Sequence, residues 1–325
     1  MNRLITAGIL LAAVQYAYAA GSVPDGALKD IHDGYFHRAL AALQPLAPAH
    51  AQDAEFQYEF GKALLGVKQS DAALTALKSA VALVPGEGRY HESLGEAYCD
   101  EAEQASFFSA FGLAKSCLGE FQTAVKLAPD DVDAHSALAQ YYIGAPGIAG
   151  GSLDKAHVEE AALDKLDEVQ ALQVRAQEAE QAKDYTAAEA LLKQAVDLDK
   201  SRESLVELGL LYTEAKRYPE ALQVFGDVDA KYPDAYQAWY QIGRVTGFAR
   251  SGYDAGITAL KRYLAVDELP DTVPSKGWAH LRLGNLYQYQ GQKDLARAEY
   301  QAADQLHGDD ADLQKQARKA LDSVD

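Results

Sequence analysis

The residues whose types and spacing could do chemistry are three histidines (His91, His135, His280), two cysteines (Cys99, Cys117) and the aspartates Asp130, Asp131 and Asp133. Histidines and carboxylates that converge can hold a metal or move a proton. These histidines recur at one register of a repeating helical pattern. They therefore point outward from successive hairpins, as packing or surface residues standing in for Trp239, and no metal site is expected. The aspartates follow Pro129, where a helix begins, and N-capping accounts for them without the spacing of a calcium loop. A glycine-rich stretch at 144–152 precedes Asp154-Lys155-Ala156. Such loops can cradle anions, but this one lacks the Gly-Lys-Ser/Thr ending and a preceding strand, so it is a structural loop with Ser152 as helix N-cap. HExxH, GxSxG, CxxC and Walker patterns are absent from the sequence, and the chain is expected to be non-catalytic, without cofactor. An enzyme with an unrecognised site is the remote alternative.

The elements that position these residues repeat. Leu94-Gly95-x-x-Tyr98 is echoed by Leu208-Gly209-x-x-Tyr212 and Leu283-Gly284-x-x-Tyr287. Twelve residues after Gly61, Gly209, Gly243 and Gly284 come Ala73, Ala221, Ala255 and Ala296, and Gly61 to Gly95 and Gly209 to Gly243 both span 34 positions. A period of that size marks a repeat architecture. Apolar residues at three- and four-residue steps make each unit a pair of amphipathic helices. A mid-helix glycine costs about 1 kcal/mol relative to alanine, so its recurrence at one register implies close helix approach, glycine in the first helix facing alanine in the second. Pro85, Pro129 and Pro233 stand where helices stop.

Trp239-x-x-Ile242-Gly243, Leu94-Gly95-x-x-Tyr98 and Ala221-x-x-x-Phe225 resemble the tetratricopeptide repeat (TPR) consensus from about Ala27 to Gly308. The resemblance implies an all-α solenoid of helical hairpins, a right-handed superhelix of about seven to eight hairpins including degenerate ones. It also implies a concave groove for an extended polypeptide, lined by the inner face of each first helix. Carried over, that face presents Gln237, Tyr240, Gln241 and Arg244 in one unit and Trp278, Arg282, Asn285 and Tyr289 in the last. Tyr, Trp and Arg are enriched at binding hot spots. The set is similar to the carboxylate clamp of chaperone-binding TPR domains but lacks the clamp's Lys and Asn in the preceding unit, where Val206 and Leu210 stand.

Composition sets the remaining bounds. The chain has 325 residues, 48% hydrophobic and 24% charged, with a net charge of −18. The acidic balance argues against nucleic acid. Met1-Asn2-Arg3, an apolar run from Leu4 to Val14 and Ala17-Tyr18-Ala19 fit a cleaved leader over residues 1–19. The mature protein is expected to be exported, periplasmic or secreted, with no membrane insertion after cleavage. In an oxidising compartment, Cys99 and Cys117, in facing slots of one hairpin, are expected to form a disulfide, with two buried thiols as the alternative.

The chain divides into a degenerate capping hairpin (20–50), an N-terminal lobe (51–166) with insertions near 101–116 and 144–152, a C-terminal lobe (167–308) and a capping helix (309–325). Between 157 and 184 the consensus fades, which allows a joint. The prolines of segment 268–274 make it a stiff surface loop. The phenylalanines at 107, 108 and 111 either pack on a neighbouring hairpin or form a knob for a partner. The expected function is a non-catalytic envelope scaffold that binds another protein. A structural or oligomerising envelope subunit using the insertion is the alternative, and the oligomeric state stays open.

Overall fold

A computed structural model describes residues 22–308 and 310–324; the leader assignment falls outside them. Among the described residues there are seventeen α-helices, of which sixteen pair as eight hairpins. They are α1 (Asp25–His32) with α2 (Phe36–Leu43), α3 (Ala54–Gly66) with α4 (Ser70–Leu83), α5 (Gly88–Gln104) with α6 (Phe107–Leu127) and α7 (Val132–Gly144) with α8 (Leu153–Leu166). Then follow α9 (Glu168–Gln181) with α10 (Tyr185–Asp199), α11 (Arg202–Glu214) with α12 (Tyr218–Lys231), α13 (Tyr236–Ala249) with α14 (Tyr253–Leu264) and α15 (Lys276–Tyr289) with α16 (Lys293–Gln305), closed by α17 (Ala311–Asp322). No described helix is long and apolar enough to cross a membrane.

Seven of the eight described hairpins are keyed by one contact. A small buried residue in the second helix is followed four positions later by a large buried one: Ala39/Leu43, Ala73/Leu77, Cys117/Phe121, Ala188/Leu192, Ala221/Phe225, Gly256/Leu260 and Ala296/Tyr300. The large residue occupies the space over the first-helix glycine. A Cβ added at Gly61, Gly95, Gly209, Gly243 or Gly284 would lie 2.6 Å or less from Leu77, Phe121, Phe225, Leu260 or Tyr300 respectively. The glycine therefore makes room for a side chain, with the alanine one turn away. Ala255 is a correction: it is exposed, and Gly256 takes its slot. The turn before α14 carries Arg250 and Gly252 at positive φ and shifts the register by one residue.

The hairpin turns share a second device. Gln69, Asp184, Arg217 and Gln292 donate their N–H to carbonyls five residues back, at 2.8–2.9 Å, and Lys68, Lys183, Lys216 and Gly291 precede them at positive φ. This is the Schellman closure of a helix C-terminus.

First helices pack on first helices along most of the stack, while second helices reach only their sequence neighbours. The first helices therefore line the tighter inner face. Where the sequence departs from the repeat, local chemistry explains the result. The extra residues near 101–116 lengthen both helices of one hairpin, giving α5 17 residues and α6 21. Cys99 and Cys117 are joined by a disulfide across that hairpin, with Cα atoms 5.4 Å apart; in the loop-closure account such a crosslink contributes about 3 kcal/mol. The glycine-rich stretch forms a 3-10 turn, Gly147–Ala149, held by Tyr141, whose hydroxyl reaches the Ala114 and Ala149 carbonyls at 2.8 and 2.9 Å. Ser152 is the N-cap residue of α8, but its side chain makes no capping bond. Asp131 does cap α7, accepting from Ala134 N–H at 3.1 Å. Residues 157–184 form regular helices.

The stack also closes on itself. The loop around 268–274 meets the turn between α1 and α2. Asp271 accepts from His37 N–H at 2.8 Å, pairs with His37 Nδ1 at 2.7 Å, and donates its own N–H to the Gly34 carbonyl at 2.7 Å. Arg38 donates to Glu268 at 3.0 Å. Gly34, at φ +79°, leaves room for Thr272, which a Cβ there would meet at 2.8 Å. The segment is thus a strap from the loop between α14 and α15 back to the first hairpin as well as a stiff loop, and Tyr263, donating to the Pro274 carbonyl, anchors it. Asp271→Ala should free the first hairpin: amide hydrogen exchange should rise at least tenfold over residues 25–43 and stay unchanged in α11 to α13. Uniform protection of both regions would show that the strap does not hold the closure.

Candidate interaction channel

The inner face is built from one recurring set of first-helix positions, and in this protein those positions are rich in carboxylates. Lys62, Glu96, Asp100, Glu103 and Gln140, with Phe36 and Tyr141, line a cavity of about 590 Å³ along α3, α5 and α7. A second cavity, about 650 Å³, is lined by Tyr35, Phe36, Arg202, Glu203, Val206, Tyr236, Gln237 and Thr272, among others. It exists because the strap brings the first hairpin against α11 and α13.

Burial and mutual repulsion set the electrostatics. Burial, reinforced by Glu96, pushes the Glu92 carboxyl up to about 8. Burial and the charge of Glu180 push Glu207 up to about 7. Glu59, Glu96, Asp100 and Glu180 are also raised, in each case first by burial. Glu96 reaches the water of the channel, and screening there weakens its charge interactions. Two polar atoms of the inner face, Glu207 Oε2 and Gln237 Oε1, are buried without a partner. Arg89 is held in place by a forked bond to Glu55, at 2.7 and 3.1 Å.

The residues carried over from the TPR resemblance divide. Gln237 lines the larger cavity. Arg244 is half-buried, over the Phe248 ring at 5.1 Å, and Tyr289 is exposed beside Arg250. Arg282 lies over Trp278 at 5.2 Å, with its Nε buried and unpartnered. Tyr240 and Gln241 are not presented on the surface. Both are buried, because Tyr240 packs on Tyr263 within its hairpin (5.8 Å) and Gln241 turns back to accept from Arg244 at 3.2 Å. Trp278 and Asn285 are engaged near the end of the stack: Trp278 Nε1 donates to Asp310 at 2.8 Å, and Asn285 accepts from Tyr300 at 2.9 Å. The eight do not gather in one cavity. The three histidines remain apart, each pairing Nδ1 with a second-helix glutamate at 2.6 Å: His91 with Glu120, His135 with Glu159 and His280 with Glu299. Glu120 holds His91 above its ordinary value.

The carboxylate run was readable in principle, since Glu92, Glu96 and Glu207 occupy inner-face positions of first helices bearing Gly95 or Gly209. The cavity at the strap was not, because it joins residues more than 200 positions apart. A carboxyl raised in the folded state keeps its proton there while the unfolded chain has lost it, so stability falls as pH rises between about 4.5 and 8 for Glu92. Glu92→Gln should therefore flatten the pH dependence of the urea midpoint and be more stable than wild type at pH 8. Parallel profiles for the two proteins would refute this.

Family models described as tetratricopeptide repeat match residues 174–236 and 279–309. No curated protein sequence matches the chain. Among solved structures, the human IFIT1 dimer with PPP-AAAA is 16% identical, covering 92% of this chain and 72% of that one, with a TM-score of 0.58. The APC/C hetero-tetramer Cut9–Hcn1 aligns at 14% identity over 94% of this chain and 56% of that one, with a TM-score of 0.50. A tetratricopeptide repeat protein from Parabacteroides merdae is 12% identical over 92% of this chain and 96% of that one, with a TM-score of 0.48. At these identities the likeness bears on the fold alone. The two matched segments are tetratricopeptide repeats, and the described helices pack pairwise as tetratricopeptide hairpins along the rest of the stack.

Proposed function

We propose that this protein is an exported, non-catalytic scaffold of the cell envelope that holds an extended segment of another polypeptide in its inner channel. TPR proteins are generally protein-interaction scaffolds. The observation that carries the reading here is the larger cavity, lined by Gln237, whose Oε1 is buried without a partner; Glu207 Oε2, on α11, which packs against α13, is likewise unpartnered. Buried polar atoms are almost always hydrogen-bonded, and the backbone N–H groups of an extended chain are the donors such acceptors lack. The surplus of carboxylates along α3, α5 and α11 selects a segment with Lys or Arg, while Arg244 and Arg282 offer forks for a carboxylate further along. The Cys99–Cys117 disulfide supports an oxidising compartment.

A photoreactive residue at Gln237, used in the source cell, tests this. Wild type should trap one partner. Glu92→Lys with Glu207→Lys, and separately Arg244→Glu with Arg282→Glu, should each reduce capture at least tenfold. Equal capture by wild type and both variants would place the partner elsewhere.

A second reading rests on the lengthened hairpin of α5 and α6, where Phe108 is 89% exposed and Phe111 is 37% exposed. An apolar tip of this kind can join copies of the chain in an envelope assembly. Sedimentation equilibrium separates the two readings. A monomer at micromolar concentration is expected for a scaffold, whereas a stable oligomer dispersed by Phe108→Ser would favour the assembly.

A further inference from the structure

Of the eight hairpins, seven place a large apolar or aromatic side chain four residues after the small residue of the second helix. The exception is α8, where Ala156 is followed by Glu160. Glu160 is only 4% exposed, and its Oε1 has no hydrogen-bond partner. A carboxylate at a core position, with one oxygen unsatisfied, costs free energy that a leucine there would not. Its surroundings are those of a cation site. His157, three residues earlier, lies on the same face of α8, and Glu178 reaches over from α9. His157 Nε2 stands 3.1 and 3.3 Å from the two Glu178 oxygens, and a ligand atom from each of the three residues lies within 4.8 Å of the others.

We propose that His157, Glu160 and Glu178 bind a divalent transition ion of the zinc class, clamping α8 to α9 where the repeat consensus fades. The donor set of one imidazole and two carboxylates suits zinc, with bonds of about 2.0–2.2 Å, and the exposed side of His157 leaves the fourth position to water. Donors around such an ion stand about 3.3 Å apart, so small rotamer changes close the site. The charges also balance. Two carboxylates match the ion, and Arg175, which donates to Glu160 Oε2 at 3.3 Å, is already neutralised by Asp164 at 2.6 Å. That bond leaves Glu160 Oε1 for the metal. Glu159, next to Glu160 in sequence, is committed to His135 at 2.6 Å.

Tag-free protein, stripped with chelator and titrated with zinc by calorimetry, should bind one equivalent and gain thermal stability. Cobalt should give the visible absorption of a low-symmetry site. His157→Ala with Glu178→Gln should weaken zinc binding tenfold or more, while His280→Ala should leave it unchanged. Glu160→Leu restores the apolar key of the other hairpins. It should fold at least as stably as the stripped wild type and lose zinc binding. The proposal is overturned if wild type shows no saturable binding, or if either site variant keeps wild-type affinity.

Discussion

The structure depends on a large side chain of the second helix packing closely against the first, a key that seven of the eight described hairpins share. In five hairpins it lies over a glycine, so Leu77, Phe121, Phe225, Leu260 and Tyr300 are fixed in register as well as buried. Protein interiors tolerate neither voids nor overlap, and a one-residue slip would put backbone against ring. Repeating one key along the chain fixes the step between hairpins. Each repeat touches mainly its neighbours, as expected of a solenoid, yet a constant step curves the whole. Curvature brings first helices together inside, and a channel follows from a local packing rule.

Closure adds what local packing cannot. Nearest-neighbour stacks fray at their ends because terminal repeats have one neighbour each. Here α1 and α2, only eight residues apiece, bury too little alone to resist fraying. The strap around Asp271 gives them a second neighbour some 230 residues away in sequence. It also converts an open groove into a cavity that Tyr35, Thr272 and Gln237 share.

This division explains what was legible. The glycine echo announced the hairpins because its cause is local, a helix register set by residues twelve apart. On α13 the position of Tyr240 can face either the channel or its own partner helix. Tyr240 chose Tyr263, and register alone does not settle that choice. Ala255 failed for a similar reason, because a positive-φ turn inserted one residue and moved the slot to Gly256. The strap left only two prolines and seven extra residues as a sign, and these describe stiffness without naming a target. Sequence patterns with a period report contacts that repeat, and a contact made once leaves no period.

The carboxylates of the channel bear on why such a stack would retain costly residues. Glu92 and Glu207 are raised to about 8 and 7 because burial penalises their charged forms. A hydrophobic or amide side chain at either position would spare that cost, so neither is explained by stability. The second helices show what stability alone selects, which is alanine, leucine, phenylalanine and tyrosine at fixed steps. Apart from Glu160 of α8, the carboxyls most strongly raised by burial stand on first helices, Glu92 on α5 and Glu207 on α11. Perturbed carboxylates concentrated in a cavity are a mark of function because a ligand can repay what folding alone does not. A cationic chain threaded through the channel would stabilise the charged forms, releasing protons as it binds. Affinity coupled to pH in this way follows from the same burial that weakens the empty protein.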